Sequence, residues 1–471
     1  MKASELIKKF ESGELDVVEH TNKTLDEIEK INKDYNYFNA ISRNLALKQA
    51  ELLKKQKNKK SKLFGIPLSV KDAICVKDVE SRAGSKILSG YRPTFNATCI
   101  ERSTTNGAII IGKTAQDEFG FGTFSTNTGL GFKVPKNPFD KDRSCGGSSG
   151  GCGGISQKIS TAHISLGEST GGSIVAPASF CGVYGLCPTY GRVSRYGLMD
   201  FANSLDKIGP MGKYLEDVAL LLETISGFDD NESTSSKEPV EKYTDFLKKD
   251  SKGMKIGIIK NAFGEGTQPE VEKSVWNAIK RLESEGIKYE EIELDLPIQY
   301  GVPAYYMIST SEASTNLAKY CGMRYGAAEK LEGNFNEYFT KARSKNLGEE
   351  AKRRIMLGTF ARMAGYRDAY YLKALKVRTK VIEEYKKHFK KFDALVSPTM
   401  PVLPPKFSDI KDLTPLQCYM MDILTVGPNL AGLPHMNIPC DSSGDSPVGA
   451  MLISDHFKEG KLVQLGKEIN Q

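Results

Sequence analysis

The chain lacks any apolar run long enough to cross a bilayer. Its longest, such as Ala108–Ile111, fall far short of the roughly 20 residues that a spanning helix needs. No apolar stretch follows Met1-Lys2-Ala3-Ser4-Glu5-Leu6, so no secretory signal is expected and the membrane and secreted classes are set aside. Histidine is scarce at five residues and tryptophan occurs once, which disfavours mechanisms built on several histidines. The nine cysteines are odd in number and contain no C-x-x-C pair, so free thiols in a reducing cytoplasm are expected rather than a disulfide framework or a metal cluster. One-sided charge is lacking too. The balance of 65 basic and 58 acidic residues leaves +7, which is weak for a dedicated nucleic-acid binder. No internal repeat is visible.

What is present reads as a layered α/β domain, taken as one over residues 1–471. The first part, about 1–62, is expected to be helical, with Leu6 and Phe10 one turn apart and Val18, Leu25 and Ile28 at helical spacing. The lysines at 54, 55, 57, 59, 60 and 62 fit a solvated helix end better than an RNA contact. A core region follows over about 63–226. Gly65–Asp72 reads as a strand with a polar tip, and Gly107–Gly112 as a buried strand. Between Cys145 and Gly191, glycine, serine and threonine crowd together, a composition that suits backbone approaching a ligand more than regular structure. Residues 227–250 form a surface loop and linker, with Gly227–Lys237 its clearest part. Beyond it Lys255–Ile259 predicts a strand, Val271, Val275, Ile279 and Leu282 an amphipathic helix, and Ile287–Leu294 another strand. The alternation continues the layered fold over 251–471.

Two short patterns are decoys. Gly107-Ala-Ile-Ile-Ile-Gly112-Lys113-Thr114 matches the phosphate-loop pattern literally. A cradle needs a strand before its first glycine and a pliable loop after it, whereas Ala and three Ile prefer a buried strand. Gly147-Ser148-Ser149-Gly150-Gly151 satisfies G-x-S-x-G around Ser149, but Asp140–Cys145 before it is no strand, and His163, His388, His435 and His456 have no evident partner. A third reading takes the stretch whole. Gly146–Gly151 and Thr170-Gly171-Gly172-Ser173 expose backbone N–H groups, as an oxyanion hole requires. With histidine scarce, a desolvated lysine such as Lys71 can act as base. Spacing alone leaves this reading and one of mere tight turns both open.

The residues Gly146–Gly151, Leu166-Gly-Glu-Ser-Thr-Gly-Gly-Ser-Ile-Val-Ala-Pro177, Ala178–Val183, Pro188–Leu198 and Ser204–Pro210 resemble the amidase signature family. Ser309–Leu317, Arg353–Phe360, Asp368–Tyr371 and Asn429–Pro434 place the resemblance among the A subunits of tRNA-dependent amidotransferases, over about Ser4 to Phe457. The resemblance implies an α/β amidase signature fold, one large mixed β-sheet flanked by helices on both faces. It implies a Ser-cisSer-Lys triad, with Ser173 the nucleophile, Ser148 the bridging serine and Lys71 the base. It further implies that the N–H groups of Thr170, Gly171 and Gly172 hold the oxyanion, that Arg354 holds the α-carboxylate of glutamine, and that Asp422 holds its α-ammonium. No cofactor and no metal are implied for this chain. Its expected partners are GatB and GatC, with ATP and Mg²⁺ used by the partner, through which aminoacyl-tRNA is mainly reached.

The sequence departs from the family pattern Ser/Thr-Asp-Thr-Gly-Gly-Ser-Ile-Arg at three places: Glu168, Ser169 and Val175. Loss of Asp and Arg together would remove an ion pair without stranding a charge. The spacing to Ser173 favours Ser149 as bridging serine, whereas the motif favours Ser148. Two other functions compete. One is a stand-alone amidase for another small amide, which would have no use for both Arg354 and Asp422. The other is a nucleotide-dependent RNA binder built on Lys113 and the 54–62 lysines.

Overall fold

The computed structural model describes residues 1–56 and 60–470. Among them, eleven strands are β1 (Phe38–Ile41), β2 (Pro67–Lys71), β3 (Ile109–Thr114), β4 (Ile164–Ser169), β5 (Tyr184–Cys187), β6 (Lys207–Gly212), β7 (Lys255–Ile259), β8 (Lys288–Ile292), β9 (Ala394–Pro398), β10 (His435–Ser443) and β11 (Ser446–Ile453). They form one sheet in the order β1-β3-β2-β4-β6-β5-β10-β11-β9-β7-β8. It is mixed: β2 runs parallel to β3 and β4, and β7 to β8 and β9, while the other pairs are antiparallel.

Both faces of this sheet are covered. Along β11, Ala450 and Leu452 enter one apolar core, whereas Met451 and Ile453 enter another. Alternate residues of a strand point to opposite faces, so the two cores lie on opposite sides of the sheet. Continuously buried strands such as β3, β4 and β6 follow from that double covering.

The expected strands at 65–72, 107–112, 255–259 and 287–294 all form, within a few residues of their predicted bounds. So do the amphipathic helix, at Pro269–Ser284, and the early helices Ala3–Glu11, Val17–Tyr35 and Arg43–Lys54. Two expectations need correction. The N-terminal part also supplies β1, which pairs with β3 at the sheet edge. The glycine-rich stretch is regular in part: Gly150–Lys158 is a helix whose first seven residues are buried, while Gly146–Ser149 and Thr170–Ile174 are irregular as expected. The helix glycines serve close packing, since a Cβ at Gly151 would lie 2.5 Å from the Tyr37 carbonyl oxygen and one at Gly153 2.8 Å from that of Pro177.

The loop at 227–237 contains no helix or strand, yet it is fastened down. Asp229 accepts hydrogen bonds from Thr98 and Ser194 at 2.6 Å each, and Arg195 Nε pairs with Glu232 at 3.1 Å. In the lysine run, Lys54 pairs with Asp16 at 2.9 Å and Lys62 with Glu223 at 2.6 Å; Lys57 and Lys59 lie outside the described residues. Lys113 sits on buried β3 and donates to the carbonyls of Asp72 and Ile74 and to Ser81 Oγ. Burial pushes its ammonium below the usual lysine range. It supports the chain beyond β2 and presents no phosphate cradle.

Candidate active site

Adjacent parallel strands bring the first pieces together. Val70 of β2 pairs with Leu166 of β4, so Lys71 ends one strand beside the Ser169–Ser173 segment that leaves the other. Ligand sites in α/β sheets commonly open at such carboxyl ends. Ser148 arrives from the loop before the glycine helix, preceded by a cis peptide bond from Gly147. Lys71 Nζ donates to Ser148 Oγ at 2.6 Å, to the Glu168 carbonyl at 3.0 Å and to Glu168 Oε2 at 2.8 Å. Ser149, the alternative bridging serine, instead donates its hydroxyl to the Glu168 carbonyl at 3.1 Å. Ser173 is 8% exposed, and its carbonyl accepts from Ser149 N at 3.3 Å.

The three expected oxyanion donors are not equivalent. Gly172 N–H donates to Ser169 Oγ at 3.1 Å, so it is engaged within the loop. Thr170 and Gly171 N–H have no hydrogen-bond partner among the described residues. A Cβ at Gly171 would lie 2.5 Å from the Tyr305 ring, so any side chain there would have to displace that ring.

Arg354 and Asp422 meet through Tyr306. Asp422 Oδ2 accepts from the Tyr306 hydroxyl at 2.7 Å and Oδ1 from Thr123 Oγ1 at 2.9 Å. The Tyr306 ring in turn lies 5.1 Å from the Arg354 guanidinium carbon, which is also boxed by Phe121, Phe201 and Tyr419. Such rings attract a cation. Arg354 Nε donates to Glu350 at 2.8 Å, and no hydrogen bond among the described residues engages its two Nη groups. Burial pushes the Asp422 carboxyl up to about 6. A cavity of about 900 Å³, lined in part by Thr123, Arg353, Arg354 and Tyr419, opens here.

This charged pair is bolted to the serine loops. Thr425 Oγ1 donates to the Gly171 carbonyl at 2.7 Å and lies 3.2 Å from that of Asp422. The Thr123 carbonyl accepts from Gly147 N at 2.6 Å. Asp117, pushed up to about 6 by burial, accepts from Ser125 N and Asn127 N at 3.0 and 2.8 Å and so shapes the loop around Thr123. The expected site residues, scattered from 71 to 422, thus share one buried neighbourhood.

The sequence profile of the Amidase family matches residues 19–463. The chain belongs to the amidase family. Its relatives include glutamyl-tRNA(Gln) amidotransferase A subunits. That of Thermoanaerobacter pseudethanolicus is 44% identical, over 99% of this chain and 94% of the relative. That of Clostridium botulinum is 43% identical, over 100% and 97%. Among solved structures, the corresponding glutamyl-tRNA(Gln) amidotransferase protein of Thermotoga maritima superposes with a TM-score of 0.80 at 33% identity, covering 100% of this chain and 94% of that one. Several residues of this amidase site escaped the sequence reading. Glu350 had a visible signal, lying four residues before Arg354 on one helix face. Tyr306, Thr123 and Thr425 had none, because only the tertiary structure carries them to Arg354, Asp422 and Gly171.

Proposed function

We propose that this amidase is the glutamine-hydrolysing A subunit of a tRNA-dependent amidotransferase, working in the cytoplasm. One observation carries the reading. A cation and a carboxylate, Arg354 and Asp422, share Tyr306 at one buried site tied to the Gly171–Ser173 loop. That arrangement suits a zwitterionic amino acid whose side chain reaches a serine nucleophile. The Arg354 Nη groups would take the α-carboxylate, Asp422 the α-ammonium, and Ser173 would attack the side-chain amide. Its proton passes through Ser148 to Lys71 and returns to the departing ammonia, leaving a γ-glutamyl ester on Ser173 that water hydrolyses. Thr170 and Gly171 N–H would stabilise the oxyanion, each such donor being worth about 3–4 kcal/mol.

The chain itself would need no cofactor. GatB, bridged by GatC, would use ATP and Mg²⁺ to activate Glu-tRNA(Gln) or Asp-tRNA(Asn) and amidate it with the ammonia. The names and near-complete coverage of the relatives support this assignment. The test is ammonia release from glutamine by the chain isolated with the proteins it binds, beside the same preparation carrying Ser173→Ala. Release that the variant loses upholds the reading. Hydrolysis of other small amides in preference to glutamine overturns it in favour of a stand-alone amidase.

A further inference from the structure

The residue at 168, where the family pattern has a hydroxyl, here places a carboxylate on Lys71. The three acceptors around Lys71 Nζ are Ser148 Oγ, the Glu168 carbonyl and Glu168 Oε2. They match the three protons of an ammonium. Both side chains are shut away, Lys71 at 0% and Glu168 at 4% exposure, so solvent does little to screen the pair.

Behind Glu168 lies a second carboxyl. Thr170 Oγ1 is 2.9 Å from Glu168 Oε1 and 2.7 Å from Asp206 Oδ1. A single hydroxyl proton cannot serve two carboxylates, so one of the two carboxyls carries a proton. Glu168 is held as a carboxylate by its contact with Lys71 at 2.8 Å, so the proton falls to Asp206, whose carboxyl burial and then the neighbouring Glu168 charge push well above the usual range. Asp206 Oδ2 accepts from Phe201 N and Ala202 N at 2.8 and 2.9 Å. This leaves Oδ1–H to donate to Thr170, which donates to Glu168. Hydrogen bonds therefore run unbroken from Asp206 through Thr170, Glu168 and Lys71 to Ser148. Other titratable or charged groups act on this chain from the packed elements. Asp117 acts on Lys71, Cys187 and Tyr305 act on Glu168, and Arg195 acts on Asp206. Burial raises the Cys187 thiol and the Tyr305 hydroxyl, which keeps both neutral.

We propose that Glu168 is a positioning residue that clamps Lys71 against Ser148 as an ion pair, so that replacing it changes the pH dependence of the reaction. The proposal rests on the Ser173–Ser148–Lys71 reading above. A carboxylate in contact favours the ammonium over the amine, so activity in this chain begins at a higher pH than it would with a neutral residue at 168.

The experiment is the pH dependence of kcat for glutamine hydrolysis by the complex carrying wild-type chain, Glu168→Gln, Glu168→Ser, Asp206→Asn or Ser173→Ala. In both Glu168 variants the ascending limb should move to lower pH by about 1–3 units, the usual effect of an adjacent opposite charge, with KM within about twofold. Asp206→Asn exchanges one uncharged group for another and should leave the limb in place. The Ser variant stands in if the Gln variant does not fold. An unmoved limb in the Glu168 variants, or an equal move in Asp206→Asn, overturns the proposal. Hydrolysis surviving Ser173→Ala overturns the underlying reading as well. Its loss beside indifferent Glu168 variants overturns this proposal alone.

Discussion

Lys71 Nζ lies 2.6 Å from Ser148 Oγ, although the two residues are separated by β3 and a helix in the chain. The bond favours Ser148 as the bridging serine against the spacing to Ser173, which points to Ser149; the Ser149 hydroxyl turns to the Glu168 carbonyl instead.

The two serines should therefore respond differently to truncation. Ser148→Ala would remove the proposed proton path and is expected to lower kcat for glutamine by about 10²–10⁴-fold. Ser149→Ala removes one buried hydrogen bond, worth about 1 kcal/mol of stability, and should retain most of the rate. Steady-state kinetics on both variants checks this, and the reverse order would reassign the bridging role.

In its proposed role, Asp422 should make substrate affinity depend on pH. Its carboxyl titrates at about 6, and only the ionised form attracts an ammonium. Ionised carboxylate is lost as pH falls through that value, so KM should climb about tenfold per pH unit below it. Asp422→Asn should show a high KM at neutral pH and no such climb. A wild-type KM that stays flat from pH 8 to 5 would remove Asp422 from ammonium binding.

Gly358 lets the Arg354 helix, Glu349–Arg362, lie against the helix Asp295–Asn316 that carries Tyr306. A Cβ there would overlap the Thr310 carbonyl oxygen, which is backbone and cannot swing aside. Gly358→Ala is expected to cost about 1–3 kcal/mol, as overpacking does. It should also raise KM by moving Arg354 away from Tyr306. Thermal melting and kinetics read the two effects separately.

Ser169 and Val175 are both fully buried, and Ser169 Oγ holds Gly172 N–H. Ser169→Asp alone buries an unpaired charge, a change that costs about 3–5 kcal/mol when a partner is missing. Combined with Val175→Arg it should melt higher than the single variant. Equal melting temperatures would show that the two positions do not pair.

Lys113→Met tests the discarded nucleotide loop. The ammonium serves two carbonyls and Ser81 inside the fold, so stability should fall by about 3–5 kcal/mol. Loss of ATP or RNA binding by the isolated chain, without loss of stability, would revive the nucleotide reading.

Much of this protein was legible from order along the chain. Strands such as Lys255–Ile259 and helices such as Pro269–Ser284 announce themselves through period and composition, which are local properties. The motif residues Lys71, Ser148 and Ser173 could be named for the same reason: short stretches of fixed spacing carry their own signature. The glycine helix Gly150–Lys158 was misjudged because glycine's freedom is visible in sequence, whereas the atoms that crowd it come from Tyr37 and Pro177.

Residue order alone supplies the inventory: an α/β chain, a serine–glycine core, a lone lysine, a charged pair and three departures from the family pattern. Tertiary structure alone decided how they meet. The parallel pairing of β2 with β4 sets Lys71 beside residue 168, and whether a glutamate there faces solvent or an ammonium is a matter of burial and distance. Those depend on contacts between residues as far apart as Thr123 and Asp422, which no local pattern encodes.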